Sequence, residues 1–76
     1  MIAFVLCKLA PGKEQKTVQA IRAVEGVTEV HIVFGSWDAI LTAEADTMDK
    51  LCGLVVSRVR GVDGVSGTET LVTTNL

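Results

Sequence analysis

The chain has 76 residues, 49% of them hydrophobic and 21% charged, with seven Lys and Arg against nine Asp and Glu for a net charge of −2. That length fits one small domain over 1–76, and the apolar content excludes intrinsic disorder, which needs low hydrophobicity and high net charge. The basic residues Lys8, Lys13, Lys16, Arg22, Lys50, Arg58 and Arg60 are scattered, which argues against direct nucleic-acid binding, where clustered cations displace counterions from phosphates.

Ile2 to Leu9 (IAFVLCKL) is a short apolar run closed by Pro11-Gly12. It is apolar on both alternation faces, Ile2, Phe4 and Leu6 on one and Ala3, Val5, Cys7 and Leu9 on the other. The pattern predicts a strand covered on both sides. Residues 13–24 (KEQKTVQAIRAV) set Thr17, Val18, Ile21 and Val24 at helical spacing, between Pro11 and Gly26 as start and stop signals. This predicts a one-sided amphipathic helix. Residues 27–34 alternate Val30, Ile32 and Phe34 with Glu29, His31 and Val33. Residues 38–45 form a further strand after a turn at Gly35-Ser36-Trp37-Asp38, giving a hairpin.

A second helix is predicted over 46–58, capped by Asp46 or Thr47 and carrying the stripe Met48, Leu51, Cys52, Val55 and Val59. Leu54 and Val56 fall outside that stripe and imply a second, shallower apolar contact. Gly61 and Gly64 end the helix, and 65–74 is a last strand rich in β-branched residues. EGVTEV at 25–30 and RGVDGV at 60–65 echo each other as matched helix-exit turns.

The order β-α-β-β-α-β is the ferredoxin-like α+β arrangement, a four-stranded antiparallel sheet with two helices on one face. A chain this short buries only about 60% of the surface its unfolded form exposes. The doubly apolar first strand therefore predicts that the open face of the sheet is covered, by sheet-on-sheet dimerisation or by a ligand buried beneath it.

Cys7 and Cys52 lie far apart in apolar runs, and with one His and no Cys-x-x-Cys there is no zinc or redox spacing. Both thiols are expected to be free and buried. No cofactor or metal is implied. The chain lacks a secretory start and any apolar run near 18 residues, so a cytoplasmic protein without a membrane partner is expected.

Catalytic residues are not evident. His31 and Glu29 share a strand face and read as a polar patch at a sheet–sheet contact. A proton-shuttling role for the pair is the basis of a rival reading, a small dimeric α+β-barrel enzyme of the monooxygenase type. A second rival is a purely structural interaction module. Gly61 to Gly67 leaves a helix and enters a strand, the reverse of a phosphate-binding loop.

One constellation suits a small zwitterion. The turn offers backbone N–H groups of Gly35 and Ser36 and the Asp38 carboxylate, while Thr68 and Thr70 share a face of the last strand. An α-amino acid needs donors for its carboxylate and an acceptor for its ammonium group. Trp37 reads either as a turn residue folded over the sheet edge or as an aromatic wall over a ligand.

The stretches AFVLCKLAPGKE (3–14), EGV (25–27), Gly35-x-Trp37-Asp38-Ala-Ile-Leu (35–41), GV (64–65) and Thr68-x-Thr70-x-Val72 resemble the ligand-binding (RAM) domain of the Lrp/AsnC family over essentially the whole chain. The resemblance implies an αβ sandwich that dimerises through its sheets and commonly assembles into octamers, binding small effectors, usually amino acids, between dimers. Carried over, Gly35, Ser36 and Trp37 hold the effector through backbone and ring. Asp38 faces its ammonium, and Thr68 and Thr70 bond its polar groups. Trp37 stands where the family often has a smaller aromatic residue. Full-length members carry a DNA-binding domain ahead of this one, whereas this chain opens on its first strand. The resemblance is thus to stand-alone RAM proteins, which influence transcription indirectly, through a full-length regulator partner or by sensing an amino acid.

Overall fold

The doubly apolar run at residues 2–9 becomes a central strand, paired on both sides. In the computed structural model, which describes residues 1–74, β1 (Ile2–Leu9) is followed by α1 (Glu14–Arg22), β2 (Val27–Ile32) and β3 (Ala39–Glu44). Then come α2 (Met48–Gly53), a wider-turned π-helical continuation (Leu54–Val59) and β4 (Val65–Val72). The sheet order is β2-β3-β1-β4 with every neighbour antiparallel. This is the ferredoxin-like arrangement expected from the element order.

One face of the sheet carries the core. Ala3, Val5, Cys7 and Leu9 of β1 and Ala39, Leu41 and Ala43 of β3 are buried with Val18 and Ile21 of α1 and Leu51, Val55 and Val59 of the second helical unit. The α1 stripe forms as expected, with Thr17, Val18, Ile21 and Val24 all buried. The helix itself is shorter than residues 13–24, because Lys13 takes the N-cap position and Ala23 the C-cap. β2 stops at Ile32, short of Phe34, because the Val33 N–H closes the hairpin on the Asp38 carbonyl at 3.0 Å.

Both helices return to the sheet through the same turn. In Val24-Glu25-Gly26-Val27 and in Val62-Asp63-Gly64-Val65 the fourth N–H donates to the first carbonyl at 3.2 Å. The glycine sits at φ +97° in each. A turn with its third residue in the left-handed region favours glycine there. The equivalent glycines are therefore Gly26 and Gly64, not Gly26 and Gly61 as the EGV/RGV echo suggests.

The second helix differs most from expectation. Thr47 caps it, its hydroxyl accepting from the Lys50 N–H at 3.2 Å. After Gly53 the turns widen, and the Arg60 N–H reaches back five residues to the Val55 carbonyl at 2.9 Å. Leu51, Val55 and Val59 face the core, whereas Met48, Cys52 and Val56 lie on the solvent side. Cys52 is thus exposed, and the expectation of two buried thiols fails for it. Leu54 does make a second contact, lying against Gly26.

Cys7 is fully buried, and burial pushes its thiol up from 9.0 to about 11. Only thiolate reacts readily with disulfide reagents. Native protein should therefore release one equivalent of chromophore quickly, from Cys52, and the second only on unfolding. Two rapid equivalents would contradict this packing. The folded state disfavours the Cys7 thiolate, so this contribution to stability is intact below pH 9 and is lost as pH rises toward 11. A Cys7→Ala variant should lack that part of the alkaline decline in a denaturation series.

Candidate functional site

β1 ends, and β3 and β4 begin, at the same end of the sheet. The registers Cys7–Ala39 and Cys7–Thr68 set the start of β3 and the start of β4 on either side of β1. Adjacent strands lie about 4.8 Å apart, so the backbones of these flanking segments are about 10 Å from each other. The fold thereby brings the Gly35–Asp38 turn and Thr68 to one end of the sheet.

Asp38 is held on both its backbone and its side chain. Its N–H donates to the Cys7 carbonyl at 2.9 Å, and its Oδ2 accepts from the Leu9 N–H at 2.9 Å. The chain turns away from β1 at this point, so Leu9 lacks a backbone acceptor on that side, and the carboxylate supplies one. Oδ1 has no hydrogen-bond donor among the described residues. Gly35 and Ser36 are exposed, and among the described residues their N–H groups meet no backbone carbonyl. Trp37 is half-buried in the same turn.

Thr68 and Thr70 share the helix-side face, opposite Cys7 and Val5. β4 is an edge strand, so Thr68 remains half-buried and Thr70 exposed. Thr70 lies deeper along the strand than Thr68 and farther from the turn.

Thr68 also lines a cleft of about 350 Å³ with Arg60, Val65, Ser66 and Gly67. The Ser66 hydroxyl donates to the Lys8 carbonyl at 3.3 Å. The Arg60 guanidinium has no carboxylate within ion-pair distance among the described residues. With the Ser66 proton committed to Lys8, the Arg60 guanidinium and the Thr68 hydroxyl are the donors in this cleft, and the pair suits a carboxylate. Sequence reasoning singled out neither Arg60 nor Ser66 as a ligand group. The available signals were the Arg58/Arg60 pair and the Ser66-Gly67-Thr68 triplet.

Other candidates are dispersed. His31 and Glu29 meet at 3.5 Å, both exposed on the outer face of the sheet, where His31 stands opposite Ile40. His31 therefore does not line a pocket between sheet and helices, as the monooxygenase-type rival requires. Cys7 is protonated at neutral pH and sealed from solvent. Among the described residues no group of His, Cys, Asp and Glu is placed to hold a metal ion. No helix among them is long and apolar enough to cross a membrane.

Residues 2–75 match the family model described as the Lrp/AsnC ligand binding domain. An uncharacterized HTH-type transcriptional regulator of Pyrococcus furiosus is 40% identical over 73 residues, which is 92% of this chain and 49% of that protein. The chain thus spans about half the length of the curated relatives it matches. A protein of Thermus thermophilus superposes with a TM-score of 0.90 at 28% identity, covering 99% of this chain and 94% of its own. A Neisseria meningitidis transcriptional regulator solved as its L-Met complex shares the fold, with a TM-score of 0.85 at 17% identity over 97% of this chain and 49% of its own. The chain belongs to the Lrp/AsnC ligand-binding domain family.

Proposed function

We propose that this chain is a non-catalytic, oligomeric effector-binding module that takes an amino acid at the sheet end formed by β1, β3 and β4. The observation that carries the reading is the pairing of opposite chemistries there. Asp38 offers a free carboxylate oxygen, and the Arg60–Thr68 cleft offers cationic and hydroxyl donors. The two halves lie on strands separated by β1, wider than the spacing of two groups on one α-carbon. That gap favours a ligand shared between copies, each half of its backbone held by a different subunit. The L-Met complex of the Neisseria regulator supports the ligand class.

Copies pair through the open face of the sheet in this reading. Ile2, Phe4 and Leu6 of β1, Ile40 of β3 and Leu71 of β4 alternate away from the core and form an apolar strip. Glu29, Lys8 and Glu69 rim it. A second copy of the same face is self-complementary cover for such a strip. The scattered basic residues of these 76 positions make no footprint for DNA, so in this reading the domain acts on transcription indirectly, by sensing an amino acid or through assembly with a full-length Lrp/AsnC regulator in the cytoplasm.

Arg60→Gln tests the anion half of the site. Hydrogen bonds to charged groups contribute about 1.5–3 kcal/mol. Titration calorimetry with the tightest-binding amino acid should therefore show affinity falling roughly 10- to 100-fold. Unchanged affinity would remove Arg60 from the site.

A further inference from the structure

Two polar side chains on the open sheet face take no part in the effector site. His31 and Glu29 meet at 3.5 Å on β2 and stand 65% and 66% exposed. The strand registers put His31 at one end of a straight cross-strand row. His31 stands opposite Ile40, Ile40 opposite Leu6, and Leu6 opposite Glu69. Imidazole and carboxylate thus sit at the two sheet edges, with two apolar side chains between them. Three strand spacings, about 14 Å, keep them from meeting within one chain. We propose that in the sheet-paired dimer His31 of each copy faces Glu69 of the other, which makes pairing tighten as pH falls through the histidine range.

Symmetry supplies the contact. A two-fold axis running along the strands between β3 and β1, the middle of the sheet order, lays this row on its own reverse. Ile40 then covers Leu6 of the second copy, and His31 meets its Glu69. Glu29 keeps its contact with His31 of its own chain. An axis across the strands instead sets the row against Glu29, Thr42, Phe4 and Leu71. That arrangement leaves Glu69 over an apolar Leu71 with no cation.

The charge balance of the face gives the sign. Besides His31, its side chains among the described residues include three carboxylates, Glu29, Glu44 and Glu69, against one ammonium, Lys8. The remaining side chains that β1 and β3 turn to this face, Ile2, Phe4, Leu6, Ile40 and Thr42, carry no charge. Two negative faces repel on pairing, and a proton on each His31 relieves part of that repulsion. In the pair His31 lies between Glu29 and Glu69 of the second copy, so paired copies hold this proton more firmly than separate ones. Whichever state binds more protons gains as pH falls, and here it is the dimer. A histidine changes charge between about pH 5 and 8, where ordinary carboxylates remain ionised. Both ends of the row lie at the sheet rim and stay near water, so little hydration is lost against this gain.

The inference rests on the sheet pairing proposed above, and one experiment separates the two. Protein carrying donor or acceptor dye on the exposed Cys52 is mixed and diluted, and energy transfer gives the dissociation constant. In the parent it should be roughly 10-fold lower at about pH 5.5 than at about pH 8, and the difference should shrink in high salt. His31→Gln should abolish the difference, and Glu69→Gln should remove most of it. A parent indifferent to pH, or a Glu69→Gln dimer that keeps the parent's difference, overturns the His31–Glu69 contact and leaves sheet pairing standing. No energy transfer in the parent, or the parent's full transfer at both pH values in a folded Phe4→Glu protein, overturns sheet pairing itself.

Discussion

Replacing Gly64 with alanine should remove about 3 kcal/mol or more of folding stability, among the largest losses expected from a single substitution in this chain. Gly64 stands at φ +97°, where a side chain costs about 1–2 kcal/mol. An added Cβ would also run into the Oγ1 of Thr17, itself buried and donating to the Asp63 carbonyl at 3.2 Å. Relief requires Thr17 to rotate and give up that bond inside the core, or the turn into β4 to shift. Domains of this size have a total stability of roughly 4–11 kcal/mol, so the loss is a large share. Gly12 provides the control. It has φ +84°, yet an added Cβ meets nothing within 4 Å. Urea denaturation should place Gly12→Ala about 1–2 kcal/mol below the parent and Gly64→Ala well below that. Equal midpoints for the two variants would show that the turn relaxes around Thr17 at little cost.

Asp38 should separate into two roles when replaced by alanine and by asparagine. Asp38→Ala leaves the part-buried Leu9 N–H without its acceptor, at a cost of about 1–3 kcal/mol. It also deletes the acceptor proposed for the effector's ammonium group. Asp38→Asn keeps an oxygen for Leu9 and loses the charge. Stability should then stay within about 1 kcal/mol of the parent while amino-acid affinity falls roughly 10- to 100-fold. Melting curves and titration calorimetry on both variants check this. If Asp38→Asn binds as tightly as the parent, the carboxylate is a strand-end cap and nothing more.

Much of the fold was legible because the strongest periodic signals coincide with the deepest burial. β1 runs from Ile2 to Leu9 as read, and its two apolar faces became the core side and the open side of the sheet. The α1 stripe was equally plain, with a single apolar sector and a wet remainder. The second helix offered two adjacent four-residue series, Leu51/Val55/Val59 and Met48/Cys52/Val56, both apolar. Periodicity cannot choose between neighbouring sectors of one short helix, and the core took the first. The matched glycine turns were visible in the letters, but two glycines follow the second helix. Only the left-handed backbone at Gly64 identifies the equivalent of Gly26.

The candidate site was half legible. The Gly35–Asp38 turn and Thr68 lie at one sheet end, which the strand register decides and the element order implied. Arg60 escaped notice because it follows the helix by a single residue, and its approach to Ser66 and Thr68 depends on the path of the Val62–Val65 turn. The bond from Leu9 to Asp38 escaped for a different reason. An aspartate that caps a strand and one that binds a ligand are the same letter in the same turn.

An amino acid that binds the folded protein must also stabilise it. The most direct test is the melting temperature of the parent protein against each of the twenty amino acids at millimolar concentration. A ligand present at about 100 times its dissociation constant stabilises the folded state by about 2.7 kcal/mol, which for a domain of this size raises the melting temperature by roughly 10 °C or more. Such a rise is expected for one or a few amino acids, and in Arg60→Gln it should shrink to about half or less at the same ligand concentration. A melting temperature indifferent to all twenty would contradict an amino-acid site and leave a protein whose exposed surfaces serve assembly alone.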